Sequence, residues 1–140
     1  FQQSQGSNVN TVPMSVQRWG AIAAGQALLS VAAGAFGAHG LKAMVSEQAL
    51  QWWQTACQYL MYHSLASLFV VVLMVVGLRC FWTVRLFTLG NALFAGSLMV
   101  MTLTDMRVLG AITPIGGLMY LLGWALLIKS FLSWNKKVVN

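Results

Sequence analysis

Acidic residues are almost absent from this 140-residue chain, which has two of them, Glu47 and Asp105, against eight lysines and arginines. Charged residues of both signs make up 7% of the sequence, whereas soluble proteins contain about 25%. So few charges exclude a separate soluble domain. Two acids in distant segments also give no basis for the paired carboxylates of a glycosidase.

Cysteine is equally scarce, and Cys57 and Cys80 are the only two. On one predicted helix they lie roughly 35 Å apart, whereas a disulfide needs Cα atoms within about 7 Å. We expect both to pack as small apolar side chains. No Ser–His–acid elbow and no glycine-rich nucleotide loop can be read in the sequence. We therefore expect no enzymatic activity and no cofactor.

Apolar residues fill the chain instead, at 59% of the sequence. They form four blocks, at 16–38, 59–78, 86–104 and 111–132. Each block has about the 20 residues that an α-helix needs to cross a hydrocarbon layer of about 30 Å. The sequence therefore predicts an all-α fold, a four-transmembrane-helix bundle forming one membrane domain over 14–140. Residues 1–13 are polar and aperiodic, resemble the remnant of an expression tag, and are left out of this domain.

The connection between the first two blocks contains a helix-compatible segment. Ser46 can cap it, and Glu47 in its first turn suits the helix dipole. Trp52 and Trp53 are typical of the membrane–water interface. We expect a short interfacial amphipathic helix between helices 1 and 2, running into helix 2.

The basic residues indicate an orientation. If four helices alternate in direction, six of the eight bases fall on one side, and the positive-inside rule then places both termini in the cytoplasm. The bases do not cluster as a binding face, so we expect no nucleic-acid partner. The six are Arg18, Arg79, Arg85, Lys129, Lys136 and Lys137.

The candidate site is a cluster of ionisable residues near the predicted outer ends of helices 1 to 3. It consists of His39, His63, Asp105 and Glu47, which are all the histidines and acids of the chain. Such groups are costly in hydrocarbon and suggest function. They allow proton transfer or ligand binding, or a divalent ion, but no HxxxH or HExxH spacing is present, and we predict no metal site. The alternative is that the histidines only hydrogen bond and fix the bundle.

A second set of residues is expected to serve helix packing. Small residues four apart, such as Ala33 and Gly37, allow close helix approach in lipid. Pro114 suits a first helical turn, although the glycines after it also permit a broken helix that binds an anion. The polar side chains on helix 3 are expected to join helices by hydrogen bonds, and the polar face of helix 1 is expected to look inward. The full set is Gly34, Gly37, Gln26, Asn91, Ser97, Pro114, Gly116 and Gly117.

Four stretches give the chain a resemblance to a known family. They are GAFGAHGLK at 34–42, TACQYLMYHSLA at 55–66, GNALFAGSLMVM at 90–101 and GAITPIGGLMYLLGW at 110–124. In this order they resemble the DUF423 (UPF0382) family of small inner-membrane proteins. The resemblance implies a four-helix protein of the bacterial inner (cytoplasmic) membrane, of uncharacterised function, and supplies no catalytic residues. Met99 stands where the family pattern has a tyrosine, so a role for that hydroxyl is absent here.

Three functions remain to be weighed. The favoured hypothesis is a structural or accessory protein of a membrane complex, contacting lipids and either a second copy of itself or a larger membrane-protein partner. The alternative is a binding or transport protein for a lipid, small solute or proton at the His/Asp cluster. A membrane enzyme is the least favoured, since no nucleophile or metal set can be named.

Overall fold

The computed structural model describes residues 11–135, and every regular element in that range is helical. The α-helices are α1 Met14–His39, α2 Glu47–Val75, α3 Phe81–Gly90, α4 Gly96–Thr104 and α5 Thr113–Leu132. A π-helical segment, Asn91–Ala95, joins α3 to α4, and short 3-10 helices at Leu41–Ala43 and Arg107–Ala111 precede α2 and α5.

Four continuous helical segments are long and apolar enough to cross a membrane. They are Met14–His39, Glu47–Val75, Phe81–Thr104 and Arg107–Leu132. The predicted all-α, four-span fold is therefore confirmed. Residues 1–10 of the predicted tag-like tail, and Lys136 and Lys137 of the charge pattern, lie outside the described residues.

The second span differs from its prediction because α2 begins at Glu47 rather than near residue 59. Ser46 caps the helix, since its hydroxyl accepts a hydrogen bond from the Ala49 amide at 3.1 Å. No glycine or proline interrupts the sequence from there to Val75, so the helix continues into the membrane span. A separate interfacial amphipathic helix is thus not seen between α1 and α2 in residues 11–135.

Trp53 explains why these first turns of α2 belong to the bundle. Its side chain is buried, and its indole N–H donates to the Ala33 carbonyl of α1 at 2.8 Å. A Cβ added at Gly37 would lie 2.6 Å from the Trp53 ring. The bare backbone of α1 at Gly37 therefore makes room for the indole, as the small-residue spacing of this helix predicts.

The third span also starts earlier than predicted, at Phe81 instead of 86. Gly77, with a positive φ of 101°, turns the chain after α2. At the far end Asp105 adopts the left-handed conformation with φ 54°, and its amide closes α4 on the Met101 carbonyl. These two turns set the length of the span.

Packing places α1 along α2, α2 beside α3 and α4, and α3 against α5. One core cluster lies where α2 ends and α3 begins and includes Val16, Val70, Val84, Phe87 and Tyr120. A second joins α2 to the π segment and α4, through Ala56, Leu60, Ala95, Leu98 and Met101. Many large apolar side chains remain exposed on the outside of the bundle, as a lipid-facing surface requires.

Candidate functional site

A chain of hydrogen bonds, which we call the polar chain, crosses the middle of the bundle and links three of the four spans through Tyr120, Asn91, Gln26 and Thr88. The Tyr120 hydroxyl of α5 donates to Asn91 Oδ1 at 2.7 Å. Asn91 Nδ2 donates in turn to Gln26 Oε1 of α1 at 2.6 Å, and Gln26 Nε2 reaches Thr88 Oγ1 at 3.4 Å. Both polar atoms of the Asn91 side chain, Oδ1 and Nδ2, are thus hydrogen bonded inside the protein, as a buried amide requires.

Asn91 is the first residue of the π-helical segment. π-Helical turns are rare and are often found at functional sites. Here the segment packs against α2 and α5. A Cβ on Gly116 would lie 2.8 Å from Phe94 Cα, and closer still to the Phe94 amide nitrogen. Gly116 therefore lets the backbones of α5 and the π segment touch.

His63 lies beside the polar chain and is buried, with 5% of its surface exposed. Its Nε2 accepts a hydrogen bond from the Trp124 indole N–H at 3.1 Å. Its Nδ1 lies 2.9 Å from the Tyr59 carbonyl, which can only accept. The proton must therefore be on Nδ1, which gives the neutral tautomer with both nitrogens paired within the protein.

Aromatic rings enclose the imidazole of His63. The Tyr120 ring stacks on it, Phe87 and Trp124 meet it edge-on at centroid distances of 5.2 and 5.9 Å, and Tyr59 lies 6.1 Å away. We call His63 and these four residues the aromatic cluster. It joins α2, α3 and α5 through ring contacts, each typically contributing about 0.5–1.5 kcal/mol beyond burial.

A groove of about 500 Å³ opens over the aromatic cluster on the outside of the bundle. Its walls are largely apolar and come from α2, the π segment and α5, including Phe94, Pro114 and Leu121. The Tyr59 hydroxyl is the polar group there that makes no hydrogen bond within residues 11–135. The groove suits an apolar molecule better than a hydrated ion.

The residues of the predicted ionisable cluster lie in different surroundings. His39 is exposed at the end of α1, and Glu47 is exposed in the first turn of α2. Asp105 is 77% exposed and pairs with Arg107 at 3.7 Å, a surface pair worth about 0–1 kcal/mol. His63 alone is buried, and the partners described above are aromatic side chains and a carbonyl. Within residues 11–135, no three His, Cys, Asp or Glu residues are placed to hold a metal ion.

The predicted packing residues have varied contacts. Ser97 Oγ lies 2.6 Å from Thr113 Oγ1, which ties α4 to the start of α5. Pro114 is in the first turn of α5, and α5 continues without a break through Gly116 and Gly117. Gly34, in contrast, has no atom within 4 Å of where its Cβ would be.

The cysteines are unpaired in the described part of the chain, Cys57 being half-buried and Cys80 buried. Cys80 lies just before α3, and burial raises the pKa of its thiol. A thiol held in its protonated form is a poor nucleophile.

Sequence reasoning missed Tyr120 and Thr88 as members of the polar chain. Tyr120 is buried within the most apolar span, and a phenol in that setting usually needs a partner for its hydroxyl. The presence of this tyrosine in an apolar span could therefore have indicated a buried hydrogen bond. Its partner could not be named, because Asn91 lies on a different span and the sequence does not show which faces of the two spans meet.

Comparison with known proteins assigns the chain a family. Residues 33–117 match the family model DUF423, described as a protein of unknown function. A UPF0382 membrane protein of Staphylococcus haemolyticus is 43% identical over 104 residues, covering 74% of this chain and 85% of the relative. No solved structure matches the chain significantly.

Similar relatives occur in distant organisms. The UPF0382 membrane protein YwdK of Bacillus subtilis is 42% identical, over 73% of this chain and 85% of its own length. A UPF0382 membrane protein of Schizosaccharomyces pombe is 44% identical, over 74% of this chain and 92% of its own length.

Proposed function

This chain belongs to the DUF423 family of membrane proteins, and we propose that it acts in the membrane as a non-catalytic structural or accessory protein. The main support for this proposal is the hydrogen bonding of the His63 imidazole. Both of its ring nitrogens are hydrogen bonded within the chain, so neither is left to take a proton or a ligand. Of the other ionisable groups in the predicted cluster, His39, Glu47 and Asp105 are exposed.

The outward face of α1 supports an accessory role. Its exposed positions include small residues at helical spacing, namely Ala21, Gly25, Ala32 and Ala35. A Cβ on Gly25 would meet nothing within 4 Å. Since TM helices associate through small residues that let backbones approach, this face suits a helix of a second copy or of a larger membrane protein.

The orientation we propose has both termini in the cytoplasm of a bacterial cell, with the chain in its cytoplasmic membrane. The six-to-two division of the bases supports it. Reporter fusions after residue 140 and between Lys42 and Ser46 test it directly. A cytoplasmic signal from the first and an external signal from the second are expected, and the reverse pattern would refute this orientation.

Site-specific photo-crosslinking in native membranes tests the accessory role. A diazirine amino acid at Ala32, on the outward face of α1, is expected to give a discrete protein adduct. The same amino acid at Ala125, exposed on α5, is the matched control and should give lipid adducts alone. Lipid adducts alone at both positions would count against a protein partner on α1.

The groove over the aromatic cluster favours a second candidate function, the binding of an apolar molecule such as a lipid. Its walls are apolar, and the Tyr59 hydroxyl offers one hydrogen bond. A Leu121→Trp substitution would fill the groove from an exposed position. If the groove binds a ligand, this variant should lose a bound mass that wild-type protein retains in mild detergent; an equal bound mass in both proteins would count against the groove.

A further inference from the structure

A second pocket, of about 1020 Å³, lies at the opposite end of the molecule from Glu47 and Asp105. It forms where α2 ends, α3 begins and α5 ends. The residues that matter here are Arg79, Trp82, Thr83, Lys129, Ser130 and Trp134. None of them belongs to the polar chain or to the aromatic cluster.

The pocket is positively charged. Arg79 and Lys129 line it, and no acidic side chain does. The two acids of the chain, Glu47 and Asp105, lie at the start of α2 and the end of α4. The two cations therefore have no counterion at this end of the described chain, and an external anion would meet no opposing charge.

The N-terminus of α3 adds to this potential. Cys80 stands at its N-cap and makes no side-chain capping bond, and the first turn contains no acid. Unpaired amides and the helix dipole make such an end attractive to an anion. Phe81 and Trp82, the first two residues of α3, line the pocket.

Thr83 provides an independent sign of a ligand. It lines the pocket, is 1% exposed, and its Oγ1 is the one buried side-chain oxygen or nitrogen without a hydrogen-bond partner in residues 11–135. Other buried hydroxyls, such as those of Ser64 and Thr102, bond to the carbonyl four residues earlier. Thr83 is in the first turn of α3. The residue four positions earlier therefore precedes the helix, and its carbonyl is not in line to accept the same bond from the Thr83 hydroxyl.

A buried hydroxyl without a partner is costly and needs an explanation. Together with two cations and an uncapped helix end, it describes a receptor for an anion with several acceptor oxygens. Trp82 and Trp134 on the pocket wall are residues typical of the membrane interface. We propose that this pocket binds a phosphate group, either that of an anionic phospholipid headgroup or free phosphate.

The test measures binding by the thermal unfolding of the full chain in zwitterionic detergent. Phosphatidylglycerol is titrated in one series and inorganic phosphate in another. A saturable rise in unfolding temperature with the lipid alone identifies a headgroup, and the same rise with inorganic phosphate identifies the free ion. No saturable rise in either series would overturn the proposal.

Charge variants locate the site. Arg79→Gln combined with Lys129→Gln is expected to weaken binding by roughly thirtyfold, because each base near an anionic surface contributes about a factor of five. Arg107→Gln, at the other end of the molecule, is the control and should bind as wild type. Equal weakening by the control, or none by the double variant, would show that the pocket is not the site.

Thr83→Val separates binding from folding. It removes the orphan hydroxyl while keeping the shape, so the ligand-free protein should unfold at the same or a higher temperature. Affinity should fall several-fold, since one hydrogen bond to a charged group is lost. Unchanged affinity in this variant would mean that Thr83 does not contact the phosphate group and would overturn its part in the site.

Discussion

The imidazole of His63 on α2 lies face to face with the phenol ring of Tyr120 on α5, with 3.5 Å between centroids and 8° between planes. The same tyrosine starts the polar chain through its hydroxyl, which donates to Asn91. Tyr120 therefore joins the aromatic cluster to the polar chain. This connection makes the two features one stabilising unit in the centre of the bundle.

Removal of the Tyr120 hydroxyl tests that unit. Tyr120→Phe keeps the stacked ring but leaves Asn91 Oδ1 without its donor. We expect the free energy of unfolding to fall by about 0.6–1.7 kcal/mol, the range of interhelical hydrogen bonds in lipid. Equilibrium unfolding in mixed micelles measures it. Tyr62→Phe, at an exposed tyrosine of α2, is the matched control and should change little.

The neutral tautomer of His63 gives a spectroscopic prediction. Nitrogen-15 NMR of labelled imidazole at pH 7 should show a protonated Nδ1 and an unprotonated Nε2, because Nε2 accepts from Trp124. Trp124→Phe should shift the Nε2 resonance and leave Nδ1 nearly unchanged. The opposite tautomer in the wild type would contradict the assigned hydrogen bonds.

Close contact between α5 and the π segment predicts a large effect at one glycine. Gly116→Ala would press its Cβ into the backbone of Phe94, which has no flexible end to move aside. Overpacking of this kind costs about 1–3 kcal/mol or more. Gly117→Ala is the control, because the nearest atom would lie 3.9 Å away. Equal unfolding free energies for the two variants would show that the helices do not meet at Gly116.

The N-cap of α2 gives a prediction about the start of the longest span. Ser46→Ala removes the side-chain acceptor for the Ala49 amide and should cost about 0.5–2 kcal/mol of unfolding free energy. Ser46→Asp supplies another acceptor and should restore most of the loss. If both variants lose the same amount, the cap does not stabilise α2.

The sequence allowed the four spans and the role of Ser46 as a cap to be predicted, because these depend on local composition and spacing. It also predicted a helix that begins after Ser46 and runs into helix 2, but it did not reveal that these first turns belong to the span itself. Trp52 and Trp53 suggested an interfacial segment, whereas Trp53 is buried against Gly37 of α1. The burial of Trp53 depends on a contact between two helices, and such a contact cannot be predicted from the residues around Trp53 alone.

The candidate site shows the same limit. Asn91 was expected to form an interhelical hydrogen bond and Gln26 to face the inside of the bundle, but their pairing with each other depends on how two distant helices pack. His63 was grouped with His39 and Asp105 by predicted depth in the membrane. Depth does not fix which face of a helix a residue occupies, and His63 is buried among aromatic rings of α3 and α5.

Native mass spectrometry in mild detergent tests whether His63 fixes the bundle or instead holds a ligand. Wild type, His63→Ala and the His39→Ala/His63→Ala double variant are compared for bound mass, with circular dichroism to establish that each remains helical. We expect the same bound species in all three proteins and a lower free energy of unfolding in the two variants. A discrete bound mass that is present in wild type and missing from helical His63→Ala protein would contradict it.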